Sequence, residues 1–294
     1  MKFPYLICLV LTAFWLPASA IADDISEEPV IEVPVQAPIH SPVTPPVVKA
    51  PEIQKPCMPF IGEHLNFDVD WEFINAGSAT LDIYPATNGS TNGWQVKTVA
   101  KTNKALDIFR KVRDYITAEG VCVNGKMQST LFDANLQERK YSAKKRTEFL
   151  WQKNEVTHTQ NQVTEHFDVP AGHLSVIDAF LAVRGLNLKA GETVNIPVFD
   201  SRKRYEIVVN IDSKTEILKT PWGEKVRCII VKPKLKTAGI FTNKGEMTLW
   251  MTDDERHIPI KLMAKIKFGR IFARLKAYRA PPVAQTQTVA ELKK

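Results

Sequence analysis

The residue types that carry nucleophilic and acid–base chemistry are present in the sequence, but not at the spacings that such chemistry needs. Ser78 lies in Ala76-Gly77-Ser78-Ala79, which lacks the G-x-S-x-G spacing of a nucleophile elbow, so a serine in a turn is the simpler interpretation. Asp253-Asp254-Glu255 lies between two strand-like segments, where an aspartate hydrogen-bonds its own backbone, and this favours a turn over an acid–base carboxylate pair. The sequence contains no Gly-rich phosphate loop. The sequence therefore predicts no catalytic residue and favours a protein that is not an enzyme.

The histidines and cysteines do not follow the spacing of a metal site. The six histidines show no H-x-x-x-H pattern, and C-x-x-C does not occur. His158 and His166 are eight residues apart and could meet across a hairpin, but an incidental surface pair is the simpler interpretation. The sequence therefore predicts no metal and no cofactor.

The four cysteines fall into three environments. Cys8 lies in the apolar run at the N-terminus, where Ile7 precedes it and a lipoprotein would need a small residue. Cys228 lies in a strand-like apolar run and is interpreted as a small buried hydrophobe. Cys57 and Cys122 are the better candidates for a disulfide, although the sequence alone does not show that they are close in space.

The first 56 residues have the features of an export signal and a linker. Lys2 precedes an apolar run over 5–16, and small residues place cleavage after Ala20 or Ala22, so residues 1–22 are predicted to be a signal peptide. The alternative, an uncleaved anchor, is disfavoured because a spanning helix needs about 20 apolar residues. Residues 23–56 are rich in proline and predict an extended tether. Residues 57–279 form the predicted folded domain, and 280–294 a disordered tail.

The positive charge belongs to the folded domain. The chain carries a formal net charge of +7, and the tether holds six acidic residues against two lysines, so residues 57–294 are strongly basic. Nucleic acid is an improbable partner for an exported chain without a recognition motif, which leaves anionic lipid head groups, lipopolysaccharide or acidic glycans. An ordinary solvated surface is the alternative. The candidate contacts with an anionic surface form a cationic stripe on one outer face: Lys261, Lys265, Lys267, Arg270, Arg274 and Lys276.

Alternation of apolar and polar residues predicts a mainly β fold. Phe67, Val69, Trp71 and Phe73 alternate with acidic residues in one half-buried strand, and a turn is expected at 75–77. Further strand-like runs are predicted at 79–84, 94–98, 112–118, 127–133, 137–143, 146–151, 194–199, 204–212, 226–232, 246–252, 258–268 and 270–278. Turn residues such as Asn124-Gly125 separate them. So many short strands indicate an antiparallel barrel or sandwich.

One apolar helix interrupts the strands. Residues 173–186 carry a wide apolar surface and end near Gly185, so the sequence predicts a buried helix of about three turns, and a shorter helical turn at 104–109. The longer helix is expected either to cap a barrel or to pack on the outside of a sheet. If it caps a barrel, Trp71, Phe180 and Trp250 are candidates to line a site for an apolar or lipid-like ligand. The alternative for these aromatic residues is plain core.

A series of sequence blocks resembles an uncharacterised bacterial family, the domain of unknown function DUF3108. The blocks are Gly62 to Val69 with Ala76-Gly77, 188–200, Thr220-Pro221-Trp222-Gly223 through Pro233, and 245–259. The resemblance covers residues 60 to about 279. It implies an exported, periplasmic envelope protein of Gram-negative bacteria with a β-rich domain, and it implies no catalytic residue. The expected function is a non-enzymatic binding or accessory module of the envelope. A scaffold that binds an anionic glycan or another envelope protein through its basic face is the alternative, and an enzyme of unknown chemistry is the third.

Overall fold

A computed structural model describes residues 57–87, 90–138, 141–237, 240–241, 246–266 and 268–282. The predicted signal peptide (1–22), the predicted tether (23–56), Lys267 and most of the predicted tail lie outside the described residues.

The described chain is built from strands and two helices, which confirms the mainly β prediction. The strands are β1 (His64–Trp71), β2 (Ile74–Pro85), β3 (Gly93–Thr102), β4 (Val112–Val123), β5 (Lys126–Glu138), β6 (Tyr141–Leu150), β7 (Glu155–Gln160), β8 (Val163–Asp168), β9 (Thr193–Asp200), β10 (Lys203–Lys219), β11 (Lys225–Thr237), β12 (Ile240–Phe241), β13 (Met247–Thr252), β14 (Pro259–Ile266) and β15 (Gly269–Arg279). The helices are α1 (Lys104–Arg110) and α2 (Val176–Gly185), and Trp151–Lys153 form a 3-10 turn.

The strands form one antiparallel sheet that curls into a barrel-like shape without closing. Its order is β8-β7-β6-β5-β4-β3-β2-β1-β15-β14-β13-β11-β10-β9, and β12 pairs only with β11. The edge strands β8 and β9 approach each other through side chains: the Phe167 and Phe199 rings lie 5.3 Å apart, and Arg202 forms an ion pair with Glu165. The backbone of Leu174 pairs with β9 at Val198 and so covers part of that free edge.

Two turn predictions have different outcomes. Asn124-Gly125 forms the β4–β5 hairpin turn, with both residues at positive φ as a type I′ turn requires. The first turn lies at Glu72-Phe73 rather than at 75–77, so Ser78 lies in β2. Phe73 continues the alternation of apolar residues along β1, so the sequence pattern does not show that the strand ends at Trp71. Gly77 instead permits close strand packing, because a Cβ there would lie 2.0 Å from the Lys101 carbonyl oxygen.

His158 and His166 do not meet across their hairpin, as the simpler interpretation expected, but only His166 is a surface residue. They lie on the paired strands β7 and β8, but His158 is opposite Glu165 and His166 is opposite Thr157. Successive side chains point to opposite faces of a sheet, so the buried His158 faces the interior and His166 faces solvent. Burial, with smaller effects from nearby cations, lowers the pKa of His158 to about 4, so it is neutral at physiological pH.

Helix α2 is the buried helix predicted over 173–186, shortened by three residues at its start and one at its end. Ser175 caps it by accepting a hydrogen bond from the Asp178 backbone N–H. Ile177, Ala179 and Leu181 are almost fully buried in the common core. Its first turn is hydrogen-bonded to β3 and β5, and its last turn is hydrogen-bonded to the segments just before β1 and β14. The helix therefore crosses one end of the barrel and occupies its interior there.

Asp178 holds the first turn of α2 against the sheet. Its carboxylate accepts hydrogen bonds from Trp94 Nε1 at 2.9 Å, from Ser175 Oγ at 2.9 Å and from the hydroxyl of Ser129. Gly120 makes room for the indole, since a Cβ there would lie 2.2 Å from the Trp94 ring. Burial raises the pKa of Asp178 to about 6, although all three hydrogen bonds act to lower it.

Arg184 holds the last turn of α2. Its guanidinium donates to both carboxylate oxygens of Glu63, at 2.7 and 2.9 Å, and to the backbone carbonyls of Arg256 and His257. The Phe60 ring lies 4.2 Å from the guanidinium carbon. Arg184 and Glu63 are both fully buried, so each charge depends on the other.

The buried carboxyl group of Asp178 gives a testable dependence of stability on pH. The folded pKa of Asp178 exceeds the unfolded value, so its contribution to stability is present at low pH and is lost as pH rises from about 4 to about 6. In Asp178→Asn, the amide oxygen can still accept from Trp94, and nothing titrates. Between pH 4 and 7, the free energy of unfolding of the wild type should fall by about 2 kcal/mol relative to the variant.

Urea unfolding of both proteins across this pH range measures the difference. The effect of His158 is common to both proteins and cancels. Parallel pH profiles would contradict the raised pKa of Asp178.

The structure contains the disulfide between Cys57 and Cys122, with Cα atoms 6.1 Å apart. It joins the segment before β1 to the end of β4. Cys228 is free and buried, and burial raises the pKa of its thiol to about 11. The thiol is therefore unreactive at neutral pH, as expected of a small core residue.

Candidate functional site

An open pocket of about 600 Å³ lies at the end of the barrel where residue 57 enters the domain. Three parts of the chain form it: the β10–β11 turn at 220–224, the β13–β14 turn at 253–258, and the end of β15. The lining residues are Trp222, Glu224, Val226, Arg227, Thr252, Asp253, Asp254, Arg256, Tyr278 and Ala280. The pocket therefore combines aromatic rings with charged groups of both signs.

The charged groups of the pocket are held by hydrogen bonds to one another. Arg227 Nε donates to Asp253 Oδ2 at 2.6 Å, across from β11 to the β13–β14 turn. Asp254 accepts from Thr252 Oγ1 at 2.7 Å and from Arg256 Nη2 at 2.6 Å. These planar groups keep further donors and acceptors for a ligand, because each guanidinium has five N–H groups and each carboxylate about four acceptor positions.

Two aromatic side chains form the apolar wall of the pocket. The Trp222 and Tyr278 ring centroids are 6.0 Å apart at an angle of 45°, and Trp222 Nε1 donates to Glu224 Oε2 at 3.0 Å. Trp222 is 41% exposed, so its ring is available for contact with a binding partner. Burial and the charge of Glu63 raise the pKa of Tyr278, so its hydroxyl stays protonated.

The electrostatics at Asp254 favour hydrogen bonding over proton transfer. Burial alone would raise the pKa of Asp254, but the hydrogen bonds from Thr252 and Arg256 outweigh it and hold the pKa below its usual range. Asp254 in turn raises the pKa of Arg256. Because a general acid needs a raised pKa, Asp254 is arranged as a permanent acceptor. Asp253 and Asp254 lie in a turn, as predicted from the sequence, and this turn lines the pocket.

The three aromatic residues predicted to line an interior site lie at separate places. Trp71 is at the tip of β1 and donates to the Phe268 carbonyl. Phe180 lies on α2, with its ring 5.9 Å from the Arg184 guanidinium. Trp250 lies beneath the Lys261 ammonium, which is 3.9 Å from its ring centroid. Trp250 Nε1 also donates a hydrogen bond to the exposed Glu216. The structure does not bring these three side chains together.

The described members of the predicted cationic stripe have partners on neighbouring strands. On β15, Arg274 and Lys276 form ion pairs with Asp70 and Asp68, which alternate along β1, and Arg270 pairs with Glu72 in the turn after β1. Lys265 pairs with Glu246, and Lys261 lies on the Trp250 ring. The stripe is therefore part of a mixed ladder of charges rather than a purely cationic face. Lys267 lies outside the described residues.

Two negative observations apply to the described residues alone. Within them, His, Cys, Asp and Glu form no cluster of three that could hold a metal ion. No helix among these residues combines the length and the apolar character needed to cross a membrane.

The pocket had only weak signals in the sequence. Trp222 follows Pro221 and precedes Gly223, a pattern that predicts a turn. Tyr278 comes from a strand more than 50 residues away, so only tertiary structure places their rings together. A tryptophan within a predicted turn was the one indication of this pocket in the sequence.

Comparison with known proteins gives a family without an assigned function. The model of the family described as "Protein of unknown function (DUF3108)" matches residues 66–276. The chain belongs to this family. The match contains the Trp222 turn and the Asp253-Asp254 turn but ends just before Tyr278, so the DUF3108 region supplies most of the pocket. No curated protein matches the chain.

A solved structure supports the fold of this DUF3108 protein. It is described as a "Beta-barrel-like Protein of Domain of Unknown Function DUF1849 from Brucella abortus". It has a TM-score of 0.51 and 8% sequence identity, over 76% of this chain and 98% of the other. At this identity the likeness shows the fold alone, a barrel-like antiparallel sheet.

Proposed function

We propose that this DUF3108 protein is a non-enzymatic binding module of the bacterial cell envelope that recognises a glycan in the Trp222 pocket. The observation that carries the proposal is the pairing of an aromatic wall, the exposed Trp222 and the half-buried Tyr278, with the hydrogen-bonded pairs Arg227–Asp253 and Arg256–Asp254.

A sugar ring matches both kinds of surface. Its C–H faces are apolar and pack against aromatic rings, and its edge carries hydroxyl groups that need donors and acceptors. Trp222 and Tyr278 offer ring surface, and the planar groups of Arg256 and Asp254 offer hydrogen bonds at fixed angles. Pockets of several hundred cubic ångströms with a few fixed polar groups are typical of small-ligand sites.

The packing of α2 favours this external pocket over an interior site for a lipid-like ligand. Ile177 and Leu181 occupy the barrel interior among inward-facing side chains of the strands. Asp178 and Arg184 anchor the helix at both ends, so leaving the interior would break two buried polar networks. We therefore place ligand recognition at the surface and treat α2 as part of the scaffold.

An envelope location rests on sequence features and on redox chemistry. Residues 1–22 have the pattern of an export signal, and the Cys57–Cys122 disulfide is typical of proteins that fold in an oxidising compartment. In the periplasm of a Gram-negative bacterium, peptidoglycan is a glycan within reach of a tethered domain. We expect the domain to be periplasmic.

The proposal is tested by calorimetric titration with soluble peptidoglycan fragments, using a neutral oligosaccharide of N-acetylglucosamine for comparison. Trp222→Ala is expected to weaken binding about tenfold, because truncating a central tryptophan removes the stacking surface. Trp250→Ala is the matched control, since Trp250 lies outside the pocket against Lys261. Equal loss in both variants, or no binding by the wild type, would contradict glycan recognition at this pocket.

A further inference from the structure

Four large apolar side chains project from the end of the barrel opposite the pocket. Phe73 is 96% exposed, Ile108 79%, Phe109 70% and Ile74 57%. Phe73 and Ile74 lie at the β1–β2 turn, and Ile108 and Phe109 lie on α1, a helix without a single buried residue. We call these four residues the apolar tip. Exposed aromatic and branched side chains that cluster in this way usually mark an interaction site.

Hydrogen bonds make the apolar tip one structural unit. Asn103, the N-cap of α1, donates its backbone N–H to the Ala76 carbonyl at 2.9 Å and its side-chain amide to the Asn75 carbonyl at 2.7 Å. The β14–β15 turn lies on the other side of the β1–β2 turn, where Trp71 Nε1 donates to the Phe268 carbonyl at 2.8 Å. The three neighbouring connections are therefore fixed relative to one another.

Exposed lysines lie beside the apolar tip. Arg110, Lys265 and Arg270 in the neighbouring segments form ion pairs with Glu138, Glu246 and Glu72. Lys101, Lys104 and Lys111 are exposed beside α1. Projecting apolar side chains beside exposed lysines are typical of protein segments that insert into the interface of an anionic membrane.

We propose that the apolar tip docks on the surface of an anionic phospholipid bilayer. Phe73, Ile108 and Phe109 would enter the boundary between head groups and acyl chains, while the lysines would contact lipid phosphates. Projecting side chains on two separate connections fit a deformable bilayer interface. A protein partner would instead need a complementary surface of about 800 Å² on each side.

Docking at this end would leave the Trp222 pocket facing away from the membrane. The pocket and the entry point at Cys57 both lie at the opposite end of the barrel. This inference goes beyond glycan recognition and does not depend on it, since the two surfaces share no residue.

Sedimentation with phospholipid vesicles tests the proposal, using the chain from Asp23 onward so that the apolar signal segment is absent. The wild type should bind vesicles of phosphatidylcholine mixed with phosphatidylglycerol. Phe73→Ser/Phe109→Ser should weaken binding about tenfold or more, because two aromatic side chains no longer enter the interface. Because both phenylalanine side chains are exposed, the Tm of the variant should equal that of the wild type.

The role of charge has its own variant. Lys104→Gln/Lys111→Gln should weaken binding about fivefold for each lysine removed, and added salt should weaken wild-type binding further. Binding to pure phosphatidylcholine as tight as to the mixed vesicles would contradict the contribution of the lysines.

Two controls separate the proposal from its alternatives. Ile217→Ser removes an exposed apolar residue from the side of the barrel, and Trp222→Ala removes the pocket wall; both should bind vesicles like the wild type. Lack of vesicle binding by the wild type would overturn the proposal. So would a wild-type dimer that the Phe73→Ser/Phe109→Ser variant abolishes, because a second copy would then cover the apolar tip.

Discussion

Replacing Arg184 by methionine is expected to lower the free energy of unfolding by about 3–5 kcal/mol. The variant leaves the Glu63 carboxylate buried without its counter-charge, and the carbonyls of Arg256 and His257 lose their donor. An uncompensated buried charge is among the most destabilising changes that one substitution can make. Urea unfolding followed by circular dichroism measures the loss.

Two further variants separate the buried charge from the other consequences of the substitution. Glu63→Gln/Arg184→Met should recover part of the loss, because no charge is then left in the core. Arg146→Met removes an arginine whose ion pairs with Asp133 and Glu148 are half exposed, and it should cost less than about 1 kcal/mol. If Arg184→Met costs no more than Arg146→Met, the anchoring role of Arg184 is wrong.

Removing the disulfide by Cys57→Ser/Cys122→Ser is expected to cost about 4 kcal/mol. The two cysteines are 65 residues apart, and a cross-link over a loop of this length strongly restricts the unfolded chain. The bridge also fixes the segment that carries Glu63, so its loss should loosen the partner of Arg184 as well. Chemical unfolding with and without a reductant measures the effect.

The response to reductant distinguishes the disulfide from other effects of substitution. The wild type and Cys228→Ala should both lose stability on reduction, because both retain the bridge. The double variant should be insensitive to reductant. For the chain from Asp23 onward, which lacks Cys8, equal stability of the oxidised and the fully reduced wild type, with three titratable thiols after reduction, would contradict the prediction.

Local patterns were sufficient to predict much of the fold. Alternation predicted the antiparallel strands, Asn124-Gly125 the hairpin, and the apolar run at 173–186 the buried helix, because each depends on neighbouring residues. Phe73 was misplaced for the same reason: its position fits the alternation of β1, yet the chain turns one residue earlier.

Contacts between distant segments could not be predicted in this way. The pairing of β1 with β15 joins residues about 200 positions apart, and only this pairing places Asp70 beside Arg274. The Trp222 pocket depends on three distant segments in the same manner. The apolar tip likewise requires α1 to lie beside the β1–β2 turn. The hydrogen bonds donated by Asn103 hold α1 in that position.

If this protein binds a glycan in the Trp222 pocket while α2 fills its interior, the two sites should respond differently to ligand. An NMR titration with soluble peptidoglycan fragments distinguishes them through the indole N–H signals, since the tryptophans lie at different places in the fold. The Trp222 signal should shift. The signal of Trp94, which is buried and donates a hydrogen bond to Asp178, should stay in place. A shift of Trp94 without one of Trp222, or no shift in either signal, would contradict glycan binding in the Trp222 pocket.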